Sequence, residues 1–464
     1  MNIKVSQDVK NTRTEVLVVS QYEGEKTSQE LVNTYAIEKD KFEGKFGQTY
    51  LLHTLGQNQA DKILVIGLGK REDFNENKMR EAVAKAVKKL HQIKAKQACF
   101  DLETVNDYGK SAALGALIAD YAFDKYKSEK AHHLDEITFA NVSEKTVQEG
   151  ILIGEAMKFT RDLANEPAQY ATPTKLAEIA QNIHGITTKI YERDEIEKMG
   201  MGAYLAVGQG SAQPHKFIHM KYSGQNVKKK IALIGKGICF DSGGLDIKPA
   251  ASMLNMKDDM SGAACVLGIM QALHKLQPEA EIHGIIAACE NMPSGTSYKP
   301  GDILTAKNGK TIEVDNTDAE GRLTLADALC YACELDVEEI IDIATLTGAC
   351  MVALGSVASG IMGNNQEMIS NIIETGKACG ENFWQLPMFA EYKNNLKSDV
   401  ADMKNTGSRY GGASAAGVFL QEFVKDKKWT HIDIAGTAFL EKPQKELISG
   451  ASGAGVRTLL EYIQ

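Results

Sequence analysis

The sequence predicts an α/β fold in two domains, in which a helix joins a smaller N-terminal α/β domain to a larger C-terminal α/β domain with a mixed central sheet. A chain of 464 residues is too long for one ordinary hydrophobic core. Segments with the alternation of strands and segments with helical periodicity follow one another in turn, which is typical of α/β layers. We expect residues 1–149 to form the N-terminal domain, 150–170 the connecting helix, and 171–464 the larger domain.

The N-terminal domain alternates strands and helices along its length. Strands are predicted at Glu15–Ser20, Lys62–Gly67 and Ile137–Val142, and helices at Lys78–Ile93 and Ser111–Tyr126. Gly67-Leu-Gly69 after the second strand is half of a dinucleotide-binding fingerprint, but Glu72 stands where the third glycine belongs. We therefore interpret this segment as an ordinary turn.

The connecting helix is predicted to end near Asn165-Glu-Pro167, and the larger domain begins after Pro173. Strands of the larger domain are predicted at Phe217–Tyr222, Lys230–Ile234, Glu281–Ala288, Glu339–Ala344 and Thr430–Ile434. Helices are predicted at Thr174–His184, Ser261–Leu276, Leu323–Leu335 and Glu367–Ala378. No internal repeat or low-complexity segment interrupts this alternation.

The composition is that of a soluble globular protein, with 43% apolar and 24% charged residues. The net charge of −9 argues against general nucleic-acid binding, which needs clusters of basic residues to displace counterions. The uncharged segment Ile343–Gln366 is rich in Gly, Ala, Ser and Thr and has few large apolar residues. A buried strand and loop is therefore a better interpretation of it than a membrane span.

Two features favour a cytoplasmic protein. The first ten residues lack the apolar stretch of a signal peptide, and the eight cysteines are scattered as in a reduced protein. Cys330 and Cys333 form a C-x-x-C motif, but no second pair lies at zinc-ribbon spacing and the motif falls in the apolar helical segment Leu325–Leu335. We expect these two cysteines to pack in the core.

The segment Asn316–Leu323 carries charged side chains on a short link between a strand-like and a helix-like run. Asp318 and Glu320 lie one residue apart, and Arg322 follows two residues later. Acidic residues are favoured near a helix N-terminus because they face the positive end of its dipole. An acid-x-acid pattern also occurs by chance about eight times in a chain of this composition. The spacing alone does not decide between a helix N-terminus and part of a reactive site.

A second group of charged residues follows the predicted strand Lys230–Ile234, at the sheet edge where α/β proteins bind ligands. The glycine-rich segment 235–249 carries Lys236, Asp241 and Lys248.

Asp241-Ser-Gly-Gly244 has three interpretations: a glycine turn, a metal site, or the nucleophile loop of trypsin-like serine proteases. The last is disfavoured because Phe240 replaces the glycine that precedes the acid in that loop. No Ala-Ala-His-Cys segment is present to supply the base, and the chain is not all-β.

A metal site in this chain would be built from carboxylates, since the sequence has no His-Glu-x-x-His motif and its ten histidines are dispersed. The candidates are Asp241, Asp259, Asp318 and Glu320. Four carboxylates in one cleft would repel one another and raise each other's pKa. Two divalent cations would cancel their charge, and such a pair is a known hydrolytic device.

The basic residues near these acids have different expected roles. Lys248 and Arg322 would stay charged beside a neutralised cluster and could bind an anion or a developing oxyanion. Beside two cations the ammonium form of Lys236 is disfavoured, so this lysine could bind metal as an amine. Each could instead be an ordinary surface residue, but their glycine-rich strand-end segments favour a functional site.

Taken together, these segments resemble the leucyl aminopeptidase family of two-metal cytosolic exopeptidases. The octapeptide Asn316-Thr-Asp-Ala-Glu-Gly-Arg-Leu323 matches the signature of that family in full. Further matches are Gly235-Lys-Gly-x-x-Phe-Asp-Ser-Gly-Gly244, Lys248-Pro-Ala-Ala251, Met256-Lys-x-Asp-Met260, Asn291-Met-Pro-Ser-Gly295, Pro300-Gly-Asp302, Ala344-Thr-Leu-Thr-Gly-Ala349 and His431-Ile-Asp-Ile-Ala-Gly436. The resemblance covers about residues 160–464.

The resemblance implies a metal-dependent aminopeptidase that releases N-terminal amino acids, with leucine and similar residues preferred, by means of water activated by two metal ions. It implies that Lys236, Asp241, Asp259 and Glu320 hold the tighter of two Mn²⁺ or Zn²⁺ ions, and that Asp241, Asp318 and Glu320 hold the more exchangeable one. Lys248 would stabilise the tetrahedral intermediate, and Arg322 would hold a bicarbonate ion that serves as general base. The substrate-binding residues would be Met256, Asn316, Thr345, Leu346, Gly348 and Ala435. The family is commonly hexameric, which implies a homohexamer.

The chain departs from the family pattern at three positions. Cys239 replaces the more usual threonine, and Asp246 stands where a serine or another small residue is common. Ala438 replaces a bulkier methionine that some members place in the side-chain pocket, which puts the preference for leucine in doubt. Two rival functions stay open from the residues alone: a two-metal phosphoesterase, whose sites usually add histidines, and a non-enzymatic role such as DNA-associated regulation.

Overall fold

A computed structural model describes residues 1–9, 12–25, 42–56 and 58–464 of the chain. These residues form two compact units, one of Met1–Lys158 with Lys442–Ile448, and one of Phe159–Glu441 with Ser449–Gln464. The boundary between residues 158 and 159 falls inside a 22-residue helix, Glu144–Asn165, which occupies the region of the predicted connecting helix.

The first unit is built on one six-stranded sheet. Its strands are β1 Asn2–Ser6, β2 Thr14–Gln21, β3 Thr49–His53, β4 Ala60–Gly67, β5 Gln97–Asp101 and β6 Glu136–Ala140, and its helices are α1 Glu76–Gln92, α2 Gly109–Asp120 and the start of α3 Glu144–Asn165. The strand order is β1-β6-β5-β2-β4-β3, and all neighbours are parallel except β3 and β4. Helices α1 and α2 provide crossovers, because parallel strands cannot be joined by a short hairpin.

The end of α2 differs from the sequence-based expectation. A helix was predicted over Ser111–Tyr126, but α2 ends at Asp120 and the backbone of Tyr121 is extended. The Asp120 carboxylate accepts a hydrogen bond from the Leu134 backbone N–H at 3.1 Å and lies 2.8 Å from His91 Nε2. These long-range contacts take the place of a further helical turn, and they join residues too far apart in sequence for periodicity to reveal.

The second unit contains the remaining elements. Its strands are β7 Thr187–Tyr191, β8 Lys216–Ser223, β9 Lys229–Asp241, β10 Ala280–Asn291, β11 Ile303–Thr305, β12 Thr311–Glu313, β13 Glu339–Ala344, β14 Ser359–Gly363, β15 Phe383–Gln385, β16 Met403–Lys404, β17 Lys428–Asp433, β18 Phe439–Leu440 and β19 Gly450–Ala451. Its helices are α4 Pro173–Gln181, α5 Arg193–Lys198, α6 Gly202–Gly208, α7 Ala250–Met253, α8 Ser261–Leu276, α9 Gly321–Cys333, α10 Gly348–Leu354, α11 Gln366–Cys379, α12 Gly412–Gln421 and α13 Val456–Ile463.

An eight-stranded mixed sheet forms the centre of the second unit, as predicted. Its order is β15-β14-β17-β13-β9-β10-β8-β7. The four central strands β17, β13, β9 and β10 are parallel, whereas β14 and β8 run antiparallel to their inner neighbours. The carboxyl ends of the central strands therefore meet at one edge of the sheet, which is where α/β proteins place their ligands.

The uncharged segment Ile343–Gln366 holds the end of β13, the short helix α10 and strand β14. The expected buried strand is thus present, but a helix lies between it and β13. Within the described parts of the chain, no helix is both long and apolar enough to cross a membrane.

Strand β9 is longer than the sequence suggested. A strand was predicted over Lys230–Ile234 with a glycine-rich loop after it, but β9 continues to Asp241. Neighbouring strand β10 pairs with it along this whole length and supplies the backbone partners that a loop would have lacked. Lys236 and Asp241 therefore lie on a strand in the middle of the sheet.

A β-bulge in β9 determines which way Asp241 faces. Ile238 pairs with Cys289 and Asp241 pairs with Asn291. Between these two pairs β9 advances by three residues and β10 by two. One extra residue reverses the alternation of side chains along a strand. Lys236 and Asp241 are five residues apart and would otherwise face opposite sides, but the bulge brings both to the same cluster.

Two glycines let helix α8 pack directly on the central strands. A Cβ atom on Gly262 would lie 2.0 Å from the backbone oxygen of Ile343, and one on Gly235 would lie 2.5 Å from the backbone oxygen of Gly262. Both neighbours are backbone atoms, which cannot turn aside as a flexible side chain can. The helix that follows Asp259 is therefore fixed close to β9 and β13.

Gly262→Ala should lower the stability of the second unit by on the order of 3 kcal/mol, because the added methyl group forces α8 away from the sheet. Denaturant unfolding followed by tryptophan fluorescence measures the change, since Trp429 is buried in this unit. Gly295→Ala is the matched control, because nothing lies within 4 Å of a Cβ atom at that position. Equal unfolding midpoints for the two variants would show that the close approach is not needed.

Candidate metal centre and active site

The predicted metal-binding and catalytic residues lie at or near the edge formed by the carboxyl ends of the central strands. Lys236 and Asp241 are on β9, Lys248 is in the loop after it, Asp259 directly precedes α8, Asp318 and Glu320 precede α9, and Arg322 is in the first turn of α9. Residues as far apart in the sequence as Lys236 and Arg322 therefore contribute to one site.

Three of the predicted carboxylates form a buried cluster. Asp241, Asp259 and Glu320 each place one oxygen within 4.8 Å of the others, and each residue is no more than 3% exposed. It is the one such group of potential metal ligands within the parts of the chain that the structure describes. Asp318 lies at its margin, with a side chain that is one-third exposed.

Lys236 lies against this cluster. Its Nζ is 2.7 Å from Asp259 Oδ1, 2.8 Å from Glu320 Oε1 and 3.0 Å from the backbone oxygen of Thr345. Burial lowers the pKa of this lysine, but the nearby carboxylates of Asp259, Glu320 and Asp241 outweigh burial and raise it overall. Gly321 leaves room for the side chain, because a Cβ atom there would lie 2.4 Å from Lys236 Cε.

Lys248 bridges two of the carboxylates at the open side of the site. Its Nζ lies 2.8 Å from Asp241 Oδ2 and 2.6 Å from Asp318 Oδ1, and its side chain is 14% exposed. Burial lowers the pKa of Lys248, but the carboxylates of Asp241 and Glu320 raise it above the ordinary value. The ammonium group is therefore firmly charged and partly open to solvent.

The charges and unpaired oxygens of the cluster fit divalent metal ions. Four carboxylates share two ammonium groups, so that the ionised cluster carries an excess of two negative charges. The pKa of Asp241 and of Asp318 is raised, mainly by burial and next by repulsion from neighbouring carboxylates. Asp259 Oδ2 is buried without a hydrogen-bond partner, and Glu320 Oε1 meets Lys236 at an angle that makes no hydrogen bond. Oxygen ligands of this kind are those that hard divalent cations prefer.

Arg322 is a buried cation with open donors. Its Nη1 donates to the backbone oxygen of Asn405 at 2.8 Å, while its buried Nε has no hydrogen-bond partner. Desolvation lowers the pKa of Arg322 to about 10, although Glu320 and Asp433 partly oppose this effect. A buried guanidinium of this kind is a suitable site for a small anion.

The predicted substrate-binding residues occupy several segments around the cluster. Thr345 and Leu346 follow β13, Gly348 begins α10, Ala435 follows β17, Met256 begins a short 3-10 helix before Asp259, and Asn316 lies in the loop before α9. Thr345 Oγ1 donates to Asp259 Oδ1 at 3.0 Å, and Gly348 has open space around its α-carbon. Asn316 instead turns back into its own loop, where Oδ1 accepts from the Asp318 backbone N–H.

Asn405 supports the loop that carries Asp318 and Glu320. Its Oδ1 accepts from the backbone N–H of Asp315 at 2.8 Å, and its Nδ2 donates to the backbone oxygen of Asn316 at 2.7 Å. Asn405 could not be recognised from the sequence, because it lies in none of the motifs and acts across about 90 residues of sequence.

Thr317 is the point at which other segments hold this loop. Asn291 Nδ2 donates both to Asp241 Oδ1 at 2.8 Å and to the Thr317 backbone oxygen at 3.0 Å, and the Tyr298 hydroxyl donates to the same oxygen at 2.7 Å. Asp246 accepts from the Thr317 backbone N–H at 2.7 Å. The motif that contains Asn291 was noted in the sequence, but nothing there indicated its partners.

Ser242 does not have the surroundings of a nucleophile. Its buried Oγ donates to the backbone oxygen of Asn291 at 2.7 Å and accepts from the Gly244 backbone N–H at 3.2 Å. The hydroxyl proton is thus used in a structural hydrogen bond, which agrees with the sequence evidence against a serine-protease mechanism.

Comparison with known proteins identifies the family of both parts of the chain. Residues 158–460 match the model of the catalytic domain of the cytosol aminopeptidase family, and residues 15–130 match the model of its N-terminal domain. A probable cytosol aminopeptidase of Persephonella marina is 45% identical over 100% of this chain and 99% of its own. One of Aquifex aeolicus is 46% identical over 92% of this chain and 89% of its own.

Solved structures agree with the sequence relatives. The bottromycin maturation enzyme BotP has a TM-score of 0.89 at 31% identity, over 97% of this chain and 98% of its own. The same enzyme in complex with Mn has a TM-score of 0.90. The chain therefore belongs to the cytosol aminopeptidase family and is a metal-dependent aminopeptidase that releases N-terminal amino acids from peptides.

Proposed function

We propose that the carboxylate cluster holds two divalent ions, Mn²⁺ or Zn²⁺, in each subunit. In this proposal Lys236, Asp241, Asp259 and Glu320 hold the tighter ion, and Asp241, Asp318 and Glu320 hold the more exchangeable one. The single observation that carries the proposal is the buried group of Asp241, Asp259 and Glu320 oxygens within 4.8 Å of one another, with a net negative charge that the two lysines do not cancel.

When bound, two divalent ions would lower the pKa of a shared water and polarise the peptide carbonyl. The chain itself supplies the charges around that carbonyl. Lys248 is positively charged and partly exposed at the open side of the cluster, where it can stabilise an oxygen that gains negative charge. Asp259 is proposed to accept a hydrogen bond from the free amino group of the substrate, and this contact would restrict cleavage to the first peptide bond.

Arg322 is proposed to bind bicarbonate, which would act as the general base. The support is its buried Nε, which has no hydrogen-bond partner, and its Nη1, which donates to a backbone oxygen rather than to a carboxylate. A bound anion would satisfy these donors and would keep a proton acceptor at a fixed place beside the metal cluster.

The peptide is proposed to lie along the Thr345–Gly348 backbone, with its first side chain between Met256 and Ala435. A preference for leucine and similar residues is the expected specificity. Ala438 is buried where some family members have a larger methionine, so a wider range of apolar residues would also fit.

We also propose a cytoplasmic homohexamer whose N-terminal, connecting and catalytic parts are residues 1–149, 150–170 and 171–464. Several large apolar side chains of the second unit are exposed, among them Val352, Trp384 and Phe389, and a subunit interface would cover such surface. Light scattering of the purified chain tests this, since a hexamer has six times the 50.5 kDa mass of one chain.

Removal of metal should abolish cleavage of leucyl amides and leucyl peptides, and re-addition of Mn²⁺ or Zn²⁺ should restore it. Metal analysis of the purified protein should give about two ions per chain. Phosphate esters should be assayed alongside the peptides to test the rival function, a two-metal phosphoesterase. Sites of that class usually include histidine, whereas the cluster here consists of carboxylates. Hydrolysis of phosphate esters but not of aminoacyl amides would contradict the proposal.

Glu320→Ala should abolish peptidase activity and weaken metal binding, because Glu320 would be a ligand of both ions, while the protein stays folded. Calorimetric titration with Mn²⁺ and a leucyl amide assay measure the two effects. Glu422→Ala removes a carboxylate that pairs with Lys310 and Lys393 instead, and it should leave both quantities unchanged. An unaltered turnover in Glu320→Ala would defeat the assignment.

Arg322→Ala should slow turnover by about 10- to 1,000-fold, as expected when a general base loses its position. The wild-type rate should rise when bicarbonate is added to bicarbonate-free buffer, and the rate of the variant should not. Metal content should be the same in both proteins, because Arg322 binds no metal in this proposal. Full wild-type activity in rigorously bicarbonate-free buffer would rule out the role.

A further inference from the structure

We propose that Asp433 is a positioning residue for substrate recognition, whose buried carboxylate fixes both segments that are expected to contact the peptide backbone and its first side chain. The inference rests on the proposed function, since it takes Thr345–Gly348 and Ala435 as the peptide-binding segments. It adds a residue for which the sequence pattern gave no role.

The Asp433 carboxylate gathers donors from both segments. Oδ1 accepts from the backbone N–H of Leu346 at 3.2 Å and from that of Ala435 at 3.1 Å. Oδ2 accepts from the Thr347 hydroxyl at 2.7 Å, and the Thr347 backbone N–H lies 3.5 Å from Oδ1. One side chain thereby ties the loop after β13 to the loop after β17.

The place of Asp433 in the sheet makes this tie rigid. It is the last residue of β17 and is fully buried, and it pairs with Ala344, the last residue of β13. The next residue continues the ladder, because the Ile434 backbone N–H donates to the Ala344 oxygen at 2.8 Å. The carboxylate therefore starts from two paired strand ends and reaches into both loops at once.

The other end of the same loop is held by the carboxylate cluster and Lys236. The Thr345 hydroxyl donates to Asp259, and the Thr345 backbone oxygen accepts from Lys236. The segment from Thr345 to Thr347 is thus hydrogen-bonded at one end to Asp259, which is proposed to bind metal, and at the other end to Asp433, which is not. Loss of Asp433 should release only the second end, which separates substrate binding from metal binding.

A carboxylate suits this position better than an amide. Every group that faces Asp433 through these contacts is a donor, and each of its two oxygens accepts at least one hydrogen bond. An asparagine would point its own N–H₂ group at one of these donors, which leaves a buried donor unpaired. The loops would then shift, and a misplacement of even 1 Å can cost about 100-fold. Because these loops are proposed to bind the peptide in the ground state as well as in the transition state, the loss should appear mainly in KM.

Asp327 provides a matched control for a merely structural role. It is also fully buried, and its carboxylate accepts from the backbone N–H groups of Tyr204 at 2.8 Å and Lys307 at 2.7 Å. Its burial and hydrogen bonding resemble those of Asp433, but the two segments that donate to it, the start of helix α6 and the turn after β11, carry none of the predicted site residues. A general effect of replacing a buried, hydrogen-bonded carboxyl group should appear in both variants.

The experiment compares Asp433→Asn with Asp327→Asn in the metal-loaded protein. Asp433→Asn should raise KM for leucyl peptides by about 10- to 100-fold with a smaller change in kcat. Its Mn²⁺ affinity, measured by calorimetry, should match that of the wild type. Asp327→Asn should lower stability but leave KM unchanged. Equal KM values in Asp433→Asn and the wild type, or a loss of Mn²⁺ affinity that accounts for the defect, would overturn the inference.

Thr347 gives a second test if Asp433→Asn does not fold. Thr347→Val removes the hydroxyl that donates to Asp433, and it should raise KM for leucyl peptides, as Asp433→Asn should. Thr347→Ser keeps the hydroxyl and should raise KM less. A rise of the same size in both Thr347 variants would contradict the role of the Asp433 contact. If the wild-type protein itself fails to cleave leucyl peptides when loaded with metal, the proposed function fails, and that outcome is distinct from a normal KM in the variants.

Discussion

The structure of the second unit depends on the placement of four carboxylates beside two ammonium groups at the end of a buried sheet. Asp241, Asp259 and Glu320 are almost completely buried, and burial raises the pKa of Asp241 and Asp259. Such a cluster is unfavourable unless cations compensate it. Lys236 and Lys248 neutralise part of the negative charge of the cluster. The excess negative charge that remains makes the site suitable for divalent metal ions.

The fold brings these side chains together through features of the backbone and of neighbouring residues that are not themselves proposed to bind metal. Parallel strands β17, β13, β9 and β10 bring their carboxyl ends to one edge. The bulge in β9 turns Asp241 to the face that Lys236 occupies, and Gly262 allows the helix after Asp259 to approach the sheet. Hydrogen bonds from Asn291 and Asn405 then hold the loop with Asp318 and Glu320. A site at the ends of rigid elements is fixed more precisely than one on free loops.

Much of the fold and of the candidate site could be predicted from sequence, for identifiable reasons. Strand β13 and helix α8 have the predicted bounds, because each is a mostly apolar segment with polar residues at or next to its ends. The extension of β9 through a glycine-rich segment could not be predicted in this way, since its partner β10 is about 50 residues away in sequence. The early end of α2 at Asp120 has the same origin, because contacts with His91 and Leu134 replace the helical ones.

The sequence by itself determined the kinds of groups in the site and the family to which the chain belongs, because residue types and short spacings are local properties. Only the tertiary structure decided which groups meet. It brought Asp433 to the loop of Leu346 and Thr347, and it left Arg322 buried with an open donor. The physical reason is that hydrogen bonding and burial join residues that are distant in sequence, and their energy depends on positions that exist only once the sheet has formed.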